Sequence, residues 1–174
     1  MVDLKNKTIL FADMDGTLIK TASGKTFPED CADFRIRLNV LNDIVIKMPK
    51  LQYLFIVTNQ AGIPQYMTKD DFLAKINSIT TFLIDYLNPN GSDNIVVDYE
   101  FCLAQDASNN NRKPNTGMLE SHLDNWLLSN DDKSSMVMMG DASGKKDDFS
   151  DSDKKTAENF DIDYIDVEEF LKIK

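Results

Sequence analysis

Two rhythms of apolar residues alternate along this chain. Thr8-Ile9-Leu10-Phe11-Ala12-Asp13 is a short apolar run ending on an acid, the pattern of a strand buried on both faces of a parallel sheet. Tyr53-Leu54-Phe55-Ile56-Val57-Thr58 repeats it. Ile95 to Leu103 and Ser135-Met136-Val137-Met138-Met139 read as further strands, and Tyr164-Ile165 as a short last one. Between them the spacing becomes helical. Phe34 to Met48 carries Ile36, Val40, Leu41, Ile44, Val45 and Met48 near a period of 3.6. Thr68 with Asp71 three residues on resembles a capping box, and Phe72, Ile76, Ile79, Leu83, Tyr86 and Leu87 follow it as a stripe. Thr116 to Leu128 carries Leu119, Leu123, Trp126 and Leu127, and residues 152–159 and 167–172 read as shorter helices. Strand and helix thus alternate. The order predicts an α/β fold: one Rossmann-like three-layer domain over residues 1–174, with a central, mostly parallel sheet and helices on both faces. Ligands of such sheets bind at the carboxyl ends of the strands.

Composition narrows the class. The 174 residues include 42% hydrophobic positions, enough for one continuous core, and 19 basic against 29 acidic residues, a net charge of −10 at pH 7. That balance argues against a general electrostatic binder of nucleic acid, which carries a basic face, but leaves room for a small basic site. Cys31 and Cys102 stand alone, outside any metal or redox spacing, and read as reduced thiols. The first residues lack the apolar stretch of a signal peptide, and no apolar run reaches the roughly 18 residues that span a membrane. The expected location is intracellular, cytoplasmic or nuclear.

The strand ends carry the candidate chemistry. The first apolar run is followed by Asp13-Met14-Asp15-Gly16-Thr17-Leu18, the second by Thr58-Asn59-Gln60-Ala61-Gly62, and the fourth by Gly140-Asp141-Ala142-Ser143-Gly144; Arg112-Lys113-Pro114 precedes the third long helix. Taken singly, each has a plain reading: a turn, a helix cap, a solvated basic pair. Taken together, in order and each at an element's end, they bring carboxylates, a hydroxyl, an amide and an ammonium to one sheet edge. Clustered carboxylates repel and call for a cation, and all-oxygen donors suit Mg²⁺. An ionised Asp beside that cation can attack phosphorus. A second Asp two residues on can protonate the leaving oxygen, while hydroxyl, N–H and Lys donors hold the phosphoryl oxygens.

These four segments resemble the motifs of the haloacid dehalogenase superfamily of phosphohydrolases. Ser23-Gly24-Lys25-Thr26-Phe27-Pro28, Thr58 to Ile63, Arg112 to Met118, Gly140 to Lys145, Lys146 to Asp153 and the ending Glu168-Glu169-Phe170 are similar to the polynucleotide kinase 3′-phosphatase family in particular. The resemblance covers nearly the whole chain. It implies Asp13 as nucleophile and Mg²⁺ ligand. Asp15 would be the general acid/base, with its main-chain carbonyl also on the metal. Thr58 and Asn59 would bind the transferring phosphoryl group, and Lys113 would neutralise nucleophile and phosphate. Asp141 would be the third protein ligand to the metal, supported from behind by Asp153. Lys25, Arg112 and Lys145 would contact substrate. Asp148 reads equally as a solvated turn residue and is left outside the site. The chain departs from the family at Pro64-Gln65-Tyr66-Met67, where members usually carry basic residues, and at Lys145, where Arg is common.

The implied activity is Mg²⁺-dependent removal of 3′-phosphate from polynucleotide ends, DNA foremost, through an aspartyl-phosphate, as in DNA repair. Neither the interval from Asp13 to Thr58 nor that from Thr58 to Lys113 has room for a large cap domain, and an open site suits a polymer end. The alternative is a small-molecule phosphatase of the same superfamily, of histidinol-phosphate or sugar-phosphate type, favoured by the acidic balance and the uncharged segment at 64–67. A catalytically silent binding module is the third reading, weakened by the intact set of catalytic residue types. Ser23-Gly24-Lys25-Thr26 mimics the end of a phosphate-binding loop, but the position needing its first glycine is Ile19, so no ATP-binding site is expected. Asp13-Met14-Asp15 lacks the later acids of a calcium loop, whose twelfth place is Gly24. One histidine, His122, cannot with two separated cysteines build a zinc site, and it reads as a packing residue.

Overall fold

The computed structural model of the chain describes residues 2–174, apart from 26, 27, 29, 90, 92–94 and 147. Thr26 and Phe27 of the 23–28 segment and Asp147 of the 146–153 segment, both quoted above, therefore lie outside the described residues. Seven strands and five α-helices are described: β1 (Ile9–Ala12), β2 (Ile19–Lys20), β3 (Arg35–Ile36), α1 (Leu38–Lys47), β4 (Tyr53–Asn59), α2 (Lys69–Leu87), β5 (Val96–Cys102), α3 (Gly117–Asn125), β6 (Met136–Gly140), α4 (Ser152–Phe160), β7 (Asp163–Asp166) and α5 (Val167–Phe170). Among the described residues no helix is long and apolar enough to cross a membrane.

Five strands form one sheet in the order β5-β4-β1-β6-β7, every pair parallel. The chain first builds from β1 outward through β4 to β5, then returns to the other side of β1 for β6 and β7. Strand order therefore reverses at β1, and the carboxyl ends of β4, β1 and β6 mark the place where ligands of such sheets bind.

Alternation along the strands sends side chains to two cores. Leu10, Ala12, Leu54, Ile56, Val137 and Met139 face Val40, Leu41 and Ile44 of α1, Phe72, Ile76 and Ile79 of α2, and Val167 and Phe170 of α5. Ile9, Phe11, Phe55, Val57, Met136 and Met138 face Met118, Leu119 and Leu123 of α3 and Ala157 and Phe160 of α4. Fully burying side chains of this size contributes roughly 1.5–3 kcal/mol each, and the two layers clamp β1 from both sides. That fixes where its last residues point. The expected three-layer α/β arrangement is the one observed.

Two boundaries differ from the sequence reading by three residues or more. The helix expected from Phe34 begins at Leu38, because Arg35–Ile36 pairs antiparallel with Ile19–Lys20 as a small separate ribbon. Phe34 and Ile36 still pack on the core, so their spacing mimicked one more helical turn. The helix expected to reach Leu128 ends at Asn125. Leu127 turns left-handed with φ 53° and is exposed, and the Leu128 N–H returns to the Leu123 carbonyl. At the start of α2 the expected cap is present: Thr68 Oγ1 accepts the Asp71 N–H at 3.1 Å, and its hydroxyl donates to Asp71 Oδ2 at 2.7 Å.

Candidate active site

Asp13 continues the β1 ladder past its last paired residue, its N–H donating to the Met139 carbonyl of β6 at 2.9 Å. The chain then turns sharply. Leu18 and Ile19 N–H groups both reach the Met14 carbonyl, and the Gly16 N–H reaches the Ile19 carbonyl. Gly16 holds φ +82°, and a Cβ there would collide with the Asp141 carboxylate. Glycine is thus required twice over, by conformation and by the approach of a neighbouring acid. Arg37 fastens the turn from outside, with one guanidinium nitrogen on the Gly16 carbonyl at 2.6 Å and the other on Glu168 at 2.7 Å.

The turn separates Asp13 from Asp15. Asp13 points inward, where Lys113 Nζ donates to Oδ1 at 2.6 Å and the Thr17 hydroxyl to Oδ2 at 3.4 Å. The same ammonium donates to Asp153 Oδ1 at 2.7 Å. Asp153 Oδ2 accepts the Ala142 N–H at 3.1 Å, and its approach is possible because Gly140 has no side chain to meet it. Asp13, Asp141 and Asp153 bring one oxygen each within 4.8 Å of one another. Asp15 leaves this group: its carboxylate takes Gln60 Nε2 on Oδ2 at 2.7 Å and faces Lys75 Nζ from Oδ1 at 3.5 Å.

One buried ammonium is shared by two buried carboxylates, with a third at the exposed rim. Burial and the like charges of Asp153 and Asp141 push Asp13 well above the usual carboxylate range, against the pull of Lys113. Burial opposes the charge on Lys113, but Asp13 and Asp153 together outweigh it and hold the ammonium above its ordinary value. Loss of solvent and the charge of Asp153 push Asp141 up to about 6. The cluster is short of positive charge and offers only oxygen donors, the condition that a hard divalent cation satisfies. Asp13 and Asp153 each accept from Lys113 on one oxygen and from a second donor on the other, Thr17 and Ala142 respectively, and Asp141 stands beside them at the rim.

Thr58 and Asn59 end β4 beside this group. Gln60 Nε2 joins Thr58 Oγ1 at 2.8 Å to Asp15. Asn59 holds the main chain of Lys113: its Nδ2 donates to the Lys113 carbonyl and its Oδ1 accepts the Lys113 N–H, each at 3.0 Å. Asn59 therefore places the lysine, a task different from the phosphoryl contact expected of it.

The three basic residues expected at the substrate have contacts of their own. Lys145 Nζ bridges Asp166 at 3.0 Å and Glu169 at 2.8 Å, beyond the β7 end of the sheet. Arg112 donates from one guanidinium nitrogen to the Ala104 carbonyl at 2.7 Å. Lys25 belongs to a loop in which its carbonyl takes the Thr21 hydroxyl and its N–H reaches Ser23 Oγ, while Asp33 accepts the Ser23 N–H and hydroxyl. Asp148 is a loop organiser: its Oδ2 accepts the Ser143 N–H and hydroxyl and the Lys145 N–H, and these bonds hold its carboxyl below the usual range.

Gln60, Lys75 and Arg37 enter the site's surroundings without having been expected there. The readable signal was Lys75, a charged residue three places after Phe72 on the apolar stripe of α2.

The fold is similar to that of solved phosphatases. A HAD-like phosphatase from Mesorhizobium loti superposes with TM-score 0.63 at 23% identity, over 90% of this chain and 69% of that one. The D,D-heptose 1,7-bisphosphate phosphatase of B. bronchiseptica, solved with magnesium and phosphate, gives TM-score 0.63 at 15% identity over 95% and 86%. Among curated sequences, the bifunctional polynucleotide phosphatase/kinase of Schizosaccharomyces pombe is 34% identical over 96% of this chain, which spans 38% of that protein's length. A 20.8 kDa protein of Autographa californica nuclear polyhedrosis virus, of no stated function, is 27% identical over 97% of this chain and 88% of its own. The sequence model described as Polynucleotide kinase 3 phosphatase matches residues 8–171, a span that includes Asp13, Thr58, Lys113, Asp141 and Asp153, and the chain belongs to that family.

Proposed function

We propose that this chain is a Mg²⁺-dependent phosphomonoesterase that removes 3′-phosphate from polynucleotide ends, DNA in the first place, through an aspartyl-phosphate on Asp13. The observation that carries the reading is Asp13 at the carboxyl end of the central strand, held by Lys113 beside Asp141 and Asp153, in a chain whose family match runs from residue 8 to 171. An intracellular setting, nuclear or cytoplasmic, belongs to the same proposal.

The residues divide the work as follows. Asp13 and Asp141 carboxylates and the Asp15 main-chain carbonyl would hold the metal. Mg²⁺ there would supply charge neutralisation, for the clustered acids and for the phosphoryl oxygens alike. Asp13 attacks phosphorus through one carboxylate oxygen, and Lys113 aims that carboxylate and favours its ionised form against burial. As the bond to the 3′-oxygen breaks, Asp15 gives that oxygen a proton. Water then attacks the phosphorus of the aspartyl-phosphate, Asp15 takes the water's proton back, and inorganic phosphate leaves. Thr58 Oγ1 accepts from Gln60 Nε2 and keeps its own hydroxyl hydrogen as a donor to a phosphoryl oxygen at the end of β4.

Turnover of a 3′-phosphorylated oligonucleotide is compared with that of small phosphate esters at equal concentration. The oligonucleotide is expected to have the higher kcat/KM, and the reverse order overturns the polynucleotide reading. Asp13→Asn is expected to abolish hydrolysis with the fold intact. One observation favours the small-molecule alternative: Lys145, expected to grip substrate, is held by Asp166 and Glu169. The same comparison decides it.

A further inference from the structure

Lys75 sits on the apolar face of α2, between Phe72 and Ile79, with its side chain 2% exposed. Buried ammonium groups are expensive, and one in this place gains little from its surroundings. Among the described residues its ammonium faces the Asp15 carboxylate, with Oδ1 at 3.5 Å, and the Phe34 ring, 5.8 Å from the centroid. A Met or Leu would fit the stripe at lower cost. The charge therefore contributes little to folding, while the one carboxylate it faces is the residue read above as the general acid.

We propose that Lys75 is a positioning residue for Asp15, acting with Gln60 to aim its carboxyl and to stabilise the charge it acquires during bond cleavage. The inference rests on the reading of Asp15 given under the proposed function. In the step that matters, a bond forms between an Asp13 oxygen and phosphorus while the bond from phosphorus to the 3′-oxygen breaks. The proton on Asp15 moves to that departing oxygen, and Asp15 is left as a carboxylate. The negative charge therefore appears on a group already faced by the Lys75 ammonium on one oxygen and by the Gln60 amide on the other. Donors fixed where charge develops lower the barrier most. Gln60 also holds Thr58, so the acid and the hydroxyl at the end of β4 are aimed together. The lysine is buried and the Asp15 side chain half exposed, so the ammonium meets the carboxylate from the core.

The test varies the leaving atom. A 3′-phosphorylated oligonucleotide is compared with its analogue carrying sulfur in place of the bridging 3′-oxygen, since a thiolate departs without needing a proton. Single-turnover rates of wild type, Lys75→Met and Asp15→Asn are measured on both, with thermal melts alongside. Lys75→Met is expected to slow cleavage of the oxygen ester about 30-fold or more, to recover at least ten-fold of that loss on the sulfur ester, and to melt no lower than wild type. Equal losses on both esters make Lys75 a merely structural residue and overturn the inference, provided Asp15→Asn is rescued by sulfur. If Asp15→Asn is not rescued either, the assignment of Asp15 as the acid falls, and the role of Lys75 falls with it.

Discussion

Asn59 grips the main chain of Lys113 from both sides, donating to its carbonyl and accepting from its N–H across two separate 3.0 Å hydrogen bonds. The two residues are 54 positions apart, so this pair fastens the loop after β5 to the end of β4 and delivers the ammonium to Asp13. Asn59→Ala is expected to lower kcat about 100-fold while KM changes little, and to cost about 1–3 kcal/mol of stability, the penalty for buried backbone groups left unpaired. Steady-state kinetics with a denaturant titration checks both. Asn59→Asp keeps the acceptor and loses the donor, and is expected to fall between.

Lys113 is the cation that two buried carboxylates share. In Lys113→Met those carboxylates face each other and Asp141 with no counter-charge. Stability in chelating buffer is expected to drop by about 3–5 kcal/mol. Added Mg²⁺ should then raise the melting temperature of Lys113→Met more than that of wild type, although turnover is lost. A smaller Mg²⁺ shift in the variant contradicts the charge deficit inferred for the cluster.

Two glycines separate backbone strain from close approach. Gly24 holds φ +79° with open space where a Cβ would be, whereas at Gly140 a Cβ would strike Asp153. Gly24→Ala is expected to cost roughly 1–2 kcal/mol, the left-handed penalty alone. Gly140→Ala must displace Asp153, which is nearly inaccessible to solvent and bonded at both oxygens. Its activity is expected to fall at least tenfold further than that of Gly24→Ala, a difference that parallel assays of the two variants read directly.

His122 carries a pH dependence of stability. It is fully buried, stacked on Phe55 at 4.3 Å between ring centroids, with Nε2 3.4 Å from the Ile56 carbonyl. Nδ1 has no hydrogen-bond partner and lies 3.8 Å from Asp98 Oδ2. Burial pushes the imidazole down to about 4, against the pull of the Ile56 carbonyl and the Asp98 charge. Between pH 6.5, its ordinary value, and pH 4 the unfolded chain binds a proton that the folded chain refuses. The stability associated with neutral His122 is thus present above pH 6.5 and is lost as pH falls toward 4, by about 3 kcal/mol in all. Urea titrations at pH 7, 5.5 and 4 should show this loss in wild type and a shallower one in His122→Leu. Parallel slopes for the two proteins would contradict it.

Legibility in the sequence followed range. Strands β1, β4 and β6 were readable because each is an apolar run closed by a polar residue, and β5 because β-branched and aromatic residues dominate Val96–Cys102, signals contained within a few positions. The ribbon of β2 and β3 was not: two residues per strand are too few to show alternation, and Phe34 and Ile36 fall in phase with the stripe of α1. Asp13, Lys113, Asp141 and Asp153 were readable as a set, and the structure brings them together. The basic residues were legible only as charges. Lys145 finds its partners about twenty residues on, in Asp166 and Glu169, and nothing local specifies that choice. Gln60 was passed over because an amide following Thr-Asn has no periodic signature. Lys75 was passed over because one lysine on an apolar stripe is easily taken for a solvated position.

The sheet order has a kinetic consequence. Asp13 meets Lys113 across 100 residues, and Lys113 meets Asp153 across another 40. No hairpin or single helix contains two members of the cluster, so no local fragment can assemble it early. The long loop closures must come first, and parallel pairing of this kind folds slowly relative to helical chains of the same size. Until β6 docks against β1, Asp13 lacks two of its neighbours, Asp141 and Asp153. The cluster is therefore completed only once β6 and α4, which carries Asp153, have docked, and a nascent chain stalled before residue 136 carries Asp13 and Lys113 without Asp141 and Asp153.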